Sequence, residues 1–159
     1  MTAPSHSDRH ISARMTFFLA LCCGLIVANL YYSQPLAGPI SRALSMSPES
    51  AGLIVTLTQI GYVIGLLLVV PLADLVENRK LILAMVGLSM LAVIGAAFAD
   101  NAALFLIASL LIGVGAVAVQ VIVPLAAHLA SEERRGQVVG NVMSGLMFGI
   151  MLARPVASF

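Results

Sequence analysis

Charge is what this sequence has least of. Asp, Glu, Lys and Arg make up 9% of its 159 residues, against about 25% in an ordinary soluble domain. A water-soluble core of this size needs a charged shell, and the residues for one are absent. Disorder is excluded for the opposite reason: 60% of the residues are hydrophobic, so the chain does not stay solvated and unfolded. The formal net charge of +1 offers no basic face for phosphates, which excludes nucleic acid as a partner. Cysteine is scarce as well. Cys22 and Cys23 are adjacent in an apolar run, and helical neighbours point about 100° apart, so they do not readily bridge. They read as small hydrophobes. A lipoprotein cleavage site at Cys22 is disfavoured because Leu21 is too large for the position before the cysteine. A cleaved secretory signal is disfavoured because the apolar stretch runs on and no small-x-small site follows cleanly. His6 and His10 sit on the tail, far in sequence from His128 at a helix end, and no Ser/His/Asp set or phosphate-cradling glycine loop occurs. Nothing points to an enzyme, a metal site or a cofactor. The solvent for most of the chain is lipid.

What is there is a series of long apolar runs: about 16–40, 51–73, 81–99, 102–129 and 137–159. Each meets the ~20 residues that a membrane helix needs, and none contains an internal Asp, Glu or Lys. Strands of a membrane barrel would instead alternate over ~10 residues. The expected fold is an all-α polytopic membrane protein with five transmembrane helices behind a flexible tail, residues 1–14. Ser47-Pro48-Glu49 supplies an N-cap, a first-turn proline and an acid for the second span. Asp100-Asn101 leaves almost no loop between spans three and four, which predicts a tight antiparallel pair. Ser131-Glu132-Glu133 is placed to cap the helix leading into span five. Arg9, Arg14, Arg79, Lys80, Arg134 and Arg135 fall on one side, and Arg42 on the other. That bias puts the N-terminus in the cytoplasm. It also disfavours a dual-topology exporter subunit. Small residues recur every fourth position: Ala20, Gly24 and Ala28; Gly61 and Gly65; Gly145 and Gly149; Gly136 and Gly140. They predict close helix contacts in a compact bundle.

Polar groups inside a bilayer are the functional candidates. Span one carries Asn29 and Tyr32 on one face, with Tyr31 and Gln34 on a neighbouring one. Span two carries Thr56, Thr58, Gln59 and Tyr62, of which Gln59 and Tyr62 share a face. Gln120 lies in span four, and Asn141 and Ser144 in span five. Any one of these has a plain reading, as an interfacial tyrosine or an interhelical hydrogen bond worth ~0.6–1 kcal/mol. Together they suggest a polar path, with Asn29, Tyr32, Gln34, Gln59, Tyr62 and Gln120 as substrate contacts. Arg154 is the one cation within a span. It reads either as snorkelling to the interface or as an outer-half cation facing the path or a partner helix.

The loop Pro71-Leu72-Ala73-Asp74-Leu75-Val76-Glu77-Asn78-Arg79-Lys80 resembles the signature joining spans two and three in the major facilitator superfamily. Glu133-Arg134-Arg135-Gly136 is similar to the turn that often precedes the fifth span there. Asn29-Leu30-Tyr31-Tyr32-Ser33-Gln34-Pro35-Leu36, and Gly145, Gly149, Ala153 and Arg154, resemble a drug- and sugar-efflux-like bacterial branch. The resemblance runs from about residue 15 to 159. It implies a multi-pass transporter of the bacterial inner membrane that exports a small molecule by alternating access, with a proton as the coupling ion. It also implies that Asp74 docks on a neighbouring helix end and biases opening, with Arg79 and Lys80 as its charge partners. The plain reading of that basic pair is a topology signal. There are departures. Val70 stands where the signature has glycine, and Glu77-Asn78 replaces its Gly-Arg. Ser109 stands four before Gly113, where antiporters of the family often carry arginine. Pro155 follows Arg154 rather than a glycine. Members of the family have two six-span halves, each built of inverted three-helix repeats. The resemblance therefore implies an incomplete N-terminal half: a partial sequence, a truncated frame or a split protein, partnered by a missing C-terminal half. The alternative is a non-transporting helix bundle that associates with another membrane protein through its small-residue faces.

Overall fold

The computed structural model describes residues 11–47 and 50–158. Within them lie α1 (Ala13–Ala43), α2 (Ala51–Leu68), a 3-10 turn (Pro71–Asp74), α3 (Asn78–Ala97), α4 (Ala102–Ala116), α5 (Ala118–Leu129) and α6 (Arg135–Ser158). Five helical stretches are long and apolar enough to cross a membrane, with α2 plus its turn counted as one and α4 plus α5 as another. Large apolar side chains such as Phe18, Leu67, Leu91 and Phe98 stand exposed, a surface that lipid covers and water would not tolerate.

Helix α1 at both ends, and α3 and α6 at their N-terminal ends, start or stop two or three residues beyond the apolar runs, because polar flanks continue the backbone ladder, whereas α2 ends at Leu68, short of its run. Ser12 caps α1 by accepting from the Met15 amide at 3.2 Å, so Ala13 and Arg14 belong to the helix rather than to a tail. Asn101 caps α4 by accepting from the Leu104 amide at 2.9 Å. Ser47 accepts from the Ser50 amide at 3.3 Å just ahead of α2, while Pro48 and Glu49 lie outside the described residues. Ser131 departs from expectation. Its backbone carbonyl closes the turn from the Arg134 amide at 3.0 Å, but its hydroxyl is buried without a hydrogen-bond partner. The span-four run is also not one straight helix. It breaks at Val117, whose amide bonds back three residues to Val114 and whose carbonyl accepts from Gln120. Residues 115–119 around the break are buried, so packing holds the tightened turn.

Two close pairs organise the bundle. Helices α1 and α6 run alongside each other in the same direction, with Ala20 against Gly145 and Gly24 against Gly149. A Cβ at Gly24 would fall 2.7 Å from the Gly145 carbonyl oxygen. Helices α2 and α4 cross with Gly61 on Leu110 and Gly113 on the backbone of Thr58 and Tyr62. Helix α3 lies on α4, where Gly115 meets Ser89 and Met85. The break at Val117 lets α5 leave that group and pack on the other pair. Val119, Ile122 and Ala126 form a buried cluster with Cys23, Val27, Val138 and Val142. A second cluster of Val69, Leu81, Val117 and Val121 joins α2, α3 and the break. Gly136 and Gly140 meet nothing within 4 Å, so that repeat makes no close contact here.

Candidate functional site

Among the described residues, two hydrogen bonds between polar side chains cross the bundle. The first joins Gln120 of α5 to Tyr62 of α2, with Nε2 donating to the phenolic oxygen at 2.7 Å. The second joins Arg154 of α6 to Gln34 of α1, with a terminal guanidinium nitrogen donating to Oε1 at 3.1 Å. Four of the residues expected to line a path are thus brought together in pairs. The break at Val117 helps set the first pair, because it turns α5 just before Gln120.

The pairs lie at different depths. The side of the molecule carrying Arg79, Lys80, Arg134 and Arg135 serves as reference. Tyr62 is about 18 Å along the chain direction from Asp74, and Gln120 about 14 Å from Leu129. Arg154 is about 28 Å from Arg135, and Gln34 about 32 Å from Ala13. One tier is neutral and nearer the basic loops; the other is cationic and nearer the opposite face. Both donor residues, Gln120 and Arg154, are exposed, so the groups are open to a ligand or a further helix. A charge at the bilayer centre would cost ~2.5–3.5 kcal/mol or more, and the offset of Arg154 toward one face lowers that cost.

The remaining candidates lie elsewhere. Asn29 and Tyr32 share a cavity of about 380 Å³ between α1 and α3, where Ser89 and Met90 also contribute. Tyr32 also reaches a larger groove of about 580 Å³ along α1 and α6, with Asn141, Ser144 and Phe148. Gln59 is separate from all of these, on a shallow groove with Val55, Ile60 and Val63. Ser89 is not among the polar candidates, while Asn141 and Ser144 are among them without being assigned as substrate contacts. The last two were legible, since Gln137, Asn141 and Ser144 fall at i, i+4 and i+7 on one helix face. They line a polar mouth with Thr16 and Arg134 at the basic-loop end of the same groove. Ser144 donates its hydroxyl proton to the Gly140 carbonyl at 2.8 Å, leaving its oxygen as an acceptor. Among the described residues no three His, Cys, Asp or Glu side chains gather as metal ligands would.

The loop after α2 differs from its expected pairing. Lys80 forms an ion pair with Glu77 at 3.1 Å, not with Asp74. The reason is local: Glu77 precedes α3, and three residues later Lys80 lies on the same face. Among the described residues no ion pair joins Asp74 to Arg79 either. Asp74 ends the 3-10 turn with its side chain exposed, available to a group outside these helices.

Comparison with known proteins places this architecture. The sequence profile of the Major Facilitator Superfamily matches residues 16–159. The "Uncharacterized transporter YgaY" of Escherichia coli O157:H7 is 45% identical over 157 residues, covering 99% of this chain and 39% of that protein. The "Probable transporter SCO4007" of Streptomyces coelicolor is 32% identical over 136 residues, 86% of this chain and 32% of its own. The "Uncharacterized MFS-type transporter YbcL" of Bacillus subtilis is 25% identical over 146 residues, 89% of this chain and 37% of its own. No solved structure matches. The chain spans well under half the length of these curated relatives. With its five apolar helices, its loop between spans two and three and this coverage, the chain is a multi-pass membrane protein that belongs to the major facilitator superfamily.

Proposed function

We propose that the gene product containing this chain moves a small organic molecule across the bacterial inner membrane by alternating access, in the direction of efflux. The observation that carries this reading is the pair of interhelical polar bonds, Tyr62–Gln120 and Gln34–Arg154, set at two depths in an otherwise apolar bundle. A substrate passing from one tier to the other exchanges partners at each, while the helix pairs that carry them rock as units. The N-terminus lies in the cytoplasm in this reading, because the bias of basic loops requires it. Asp74 biases opening by docking on a group outside the described helices. A coupling proton would have to be carried by groups beyond the interior of these spans, since the one carboxylate they include, Asp74, sits at the loop end of the second. The alternative of a non-transporting bundle has less support, because the relatives carry transporter names.

The test is solute counterflow in proteoliposomes. The gene product is reconstituted in vesicles preloaded with a mixture of candidate small molecules, and exchange with labelled external solute is followed. Exchange above protein-free vesicles for at least one solute is the expected result. Exchange that is unchanged when Tyr62 and Gln120 are both replaced by alanine would remove these residues from the path.

A further inference from the structure

We propose that the Gln34–Arg154 pair is an anion subsite: the guanidinium of Arg154, oriented by Gln34, receives the carboxylate, sulfonate or phosphate of an otherwise uncharged organic substrate. The inference rests on the transport reading and narrows its substrate class.

Four observations carry it. Arg154 is the one Asp, Glu, Lys or Arg inside the apolar runs, so no neighbouring carboxylate within a run neutralises it. Its backbone is fixed, because the preceding residue, Ala153, is fully buried. Its side chain is aimed, because one guanidinium nitrogen donates to Gln34 Oε1 at 3.1 Å across the α1–α6 interface. A guanidinium carries five N–H donors in a planar fork, so that bond leaves four for a ligand. Finally, the group is exposed rather than sealed into the packing. A neutral amide partner is the informative detail. A carboxylate at position 34 would satisfy the cation and cancel its field, whereas Gln34 orients the fork and leaves the charge intact. The other tier offers only an amide and a phenol, which bind polar neutral groups and do not repel an anion. Such a pathway selects a molecule with one anionic head and a body without charge.

The test uses the detergent-purified gene product and measures binding by thermal shift. The probes are benzoate, its neutral counterpart benzyl alcohol, and phosphatidylglycerol in mixed micelles. Benzoate is expected to raise the unfolding temperature, and benzyl alcohol to leave it unchanged. Arg154→Gln should weaken benzoate binding by about tenfold or more, the loss of a charge-assisted fork. Arg154→Lys should fall between, since lysine keeps the charge but not the fork. Gln34→Glu retains the arginine and occupies it, and should weaken benzoate binding as Arg154→Gln does. Should Arg154→Gln fail to fold, Gln34→Glu carries the comparison alone. Equal shifts from benzoate and benzyl alcohol, or wild-type benzoate affinity in both Arg154→Gln and Gln34→Glu, would overturn the subsite. A shift from phosphatidylglycerol with benzoate inert would assign the cation to a lipid headgroup and also overturn it. Counterflow of neutral solutes without benzoate binding would remove this inference and leave transport standing. Benzoate binding in a protein that exchanges no solute would do the reverse.

Discussion

At the scale of single residues, the Tyr62–Gln120 bond is the simplest to interrogate. Hydrogen bonds between membrane helices average ~0.6 kcal/mol in double-mutant cycles, with a maximum near ~1.7. Tyr62→Phe and Gln120→Ala should therefore each cost little, and the double variant less than their sum. Reversible unfolding in mixed micelles of the four proteins yields the coupling energy. Strict additivity would mean that the 2.7 Å contact is not formed in the folded protein. The loop residues make a contrasting pair. Glu77 and Lys80 are solvent-facing, so their ion pair contributes at most about 1 kcal/mol. Glu77→Gln should leave both insertion and transport near wild type. Asp74→Asn removes a charge whose role in the proposed mechanism lies in gating, and should lower transport several-fold at normal membrane abundance. A wild-type rate for Asp74→Asn in proteoliposomes would sink the gating role.

At the scale of elements, the glycine contacts decide which helices are locked together. A Cβ at Gly149 would collide with the Gly24 carbonyl, and one at Gly113 with the Thr58 carbonyl. Backbone atoms cannot rotate away, so the helices must part. Gly149→Val and Gly113→Val should each lower stability by about 1–3 kcal/mol, the usual range for overpacking. Gly136→Val and Gly140→Val meet open space and should fall within about 0.5 kcal/mol of wild type. Unfolding temperatures of the four variants in one detergent make the comparison, and equal losses at all four sites would contradict the packing. The repeat of small residues was legible in the sequence, but its partners were not. Gly136 and Gly140 carry the same spacing as Gly145 and Gly149, yet only the second pair faces α1. Spacing tells which residues share a face and leaves open what that face meets. The break at Val117 was hidden for a related reason. Valine gives no breaking signal, and the tightened turn is held by burial among α2 and α3 residues distant in sequence.

At the scale of the whole molecule, the five spans could be read from apolar run lengths because lipid imposes one requirement on every segment that crosses it. The polar tiers could not. Gln34 and Arg154 are 120 residues apart, and nothing local marks them as partners. Their meeting depends on α1 and α6 running in the same direction, which follows from an odd number of crossings, and on small residues that let the two backbones touch. Orientation stands between these cases. Six basic residues flank one side of the spans and Arg42 the other, and each cytoplasmic Lys or Arg opposes translocation of its loop. A single orientation sets the sign of every crossing at once, so two positions suffice to test it. With Cys22 and Cys23 replaced by alanine, a cysteine introduced at Ser45 lies in the exposed turn after α1, and one at Glu132 in the exposed turn before α6. A membrane-impermeant maleimide applied to intact spheroplasts should label Ser45→Cys and spare Glu132→Cys until the membrane is opened. The opposite pattern would invert the molecule. It would place the Gln34–Arg154 tier on the cytoplasmic side, where an anionic substrate would meet it first rather than last.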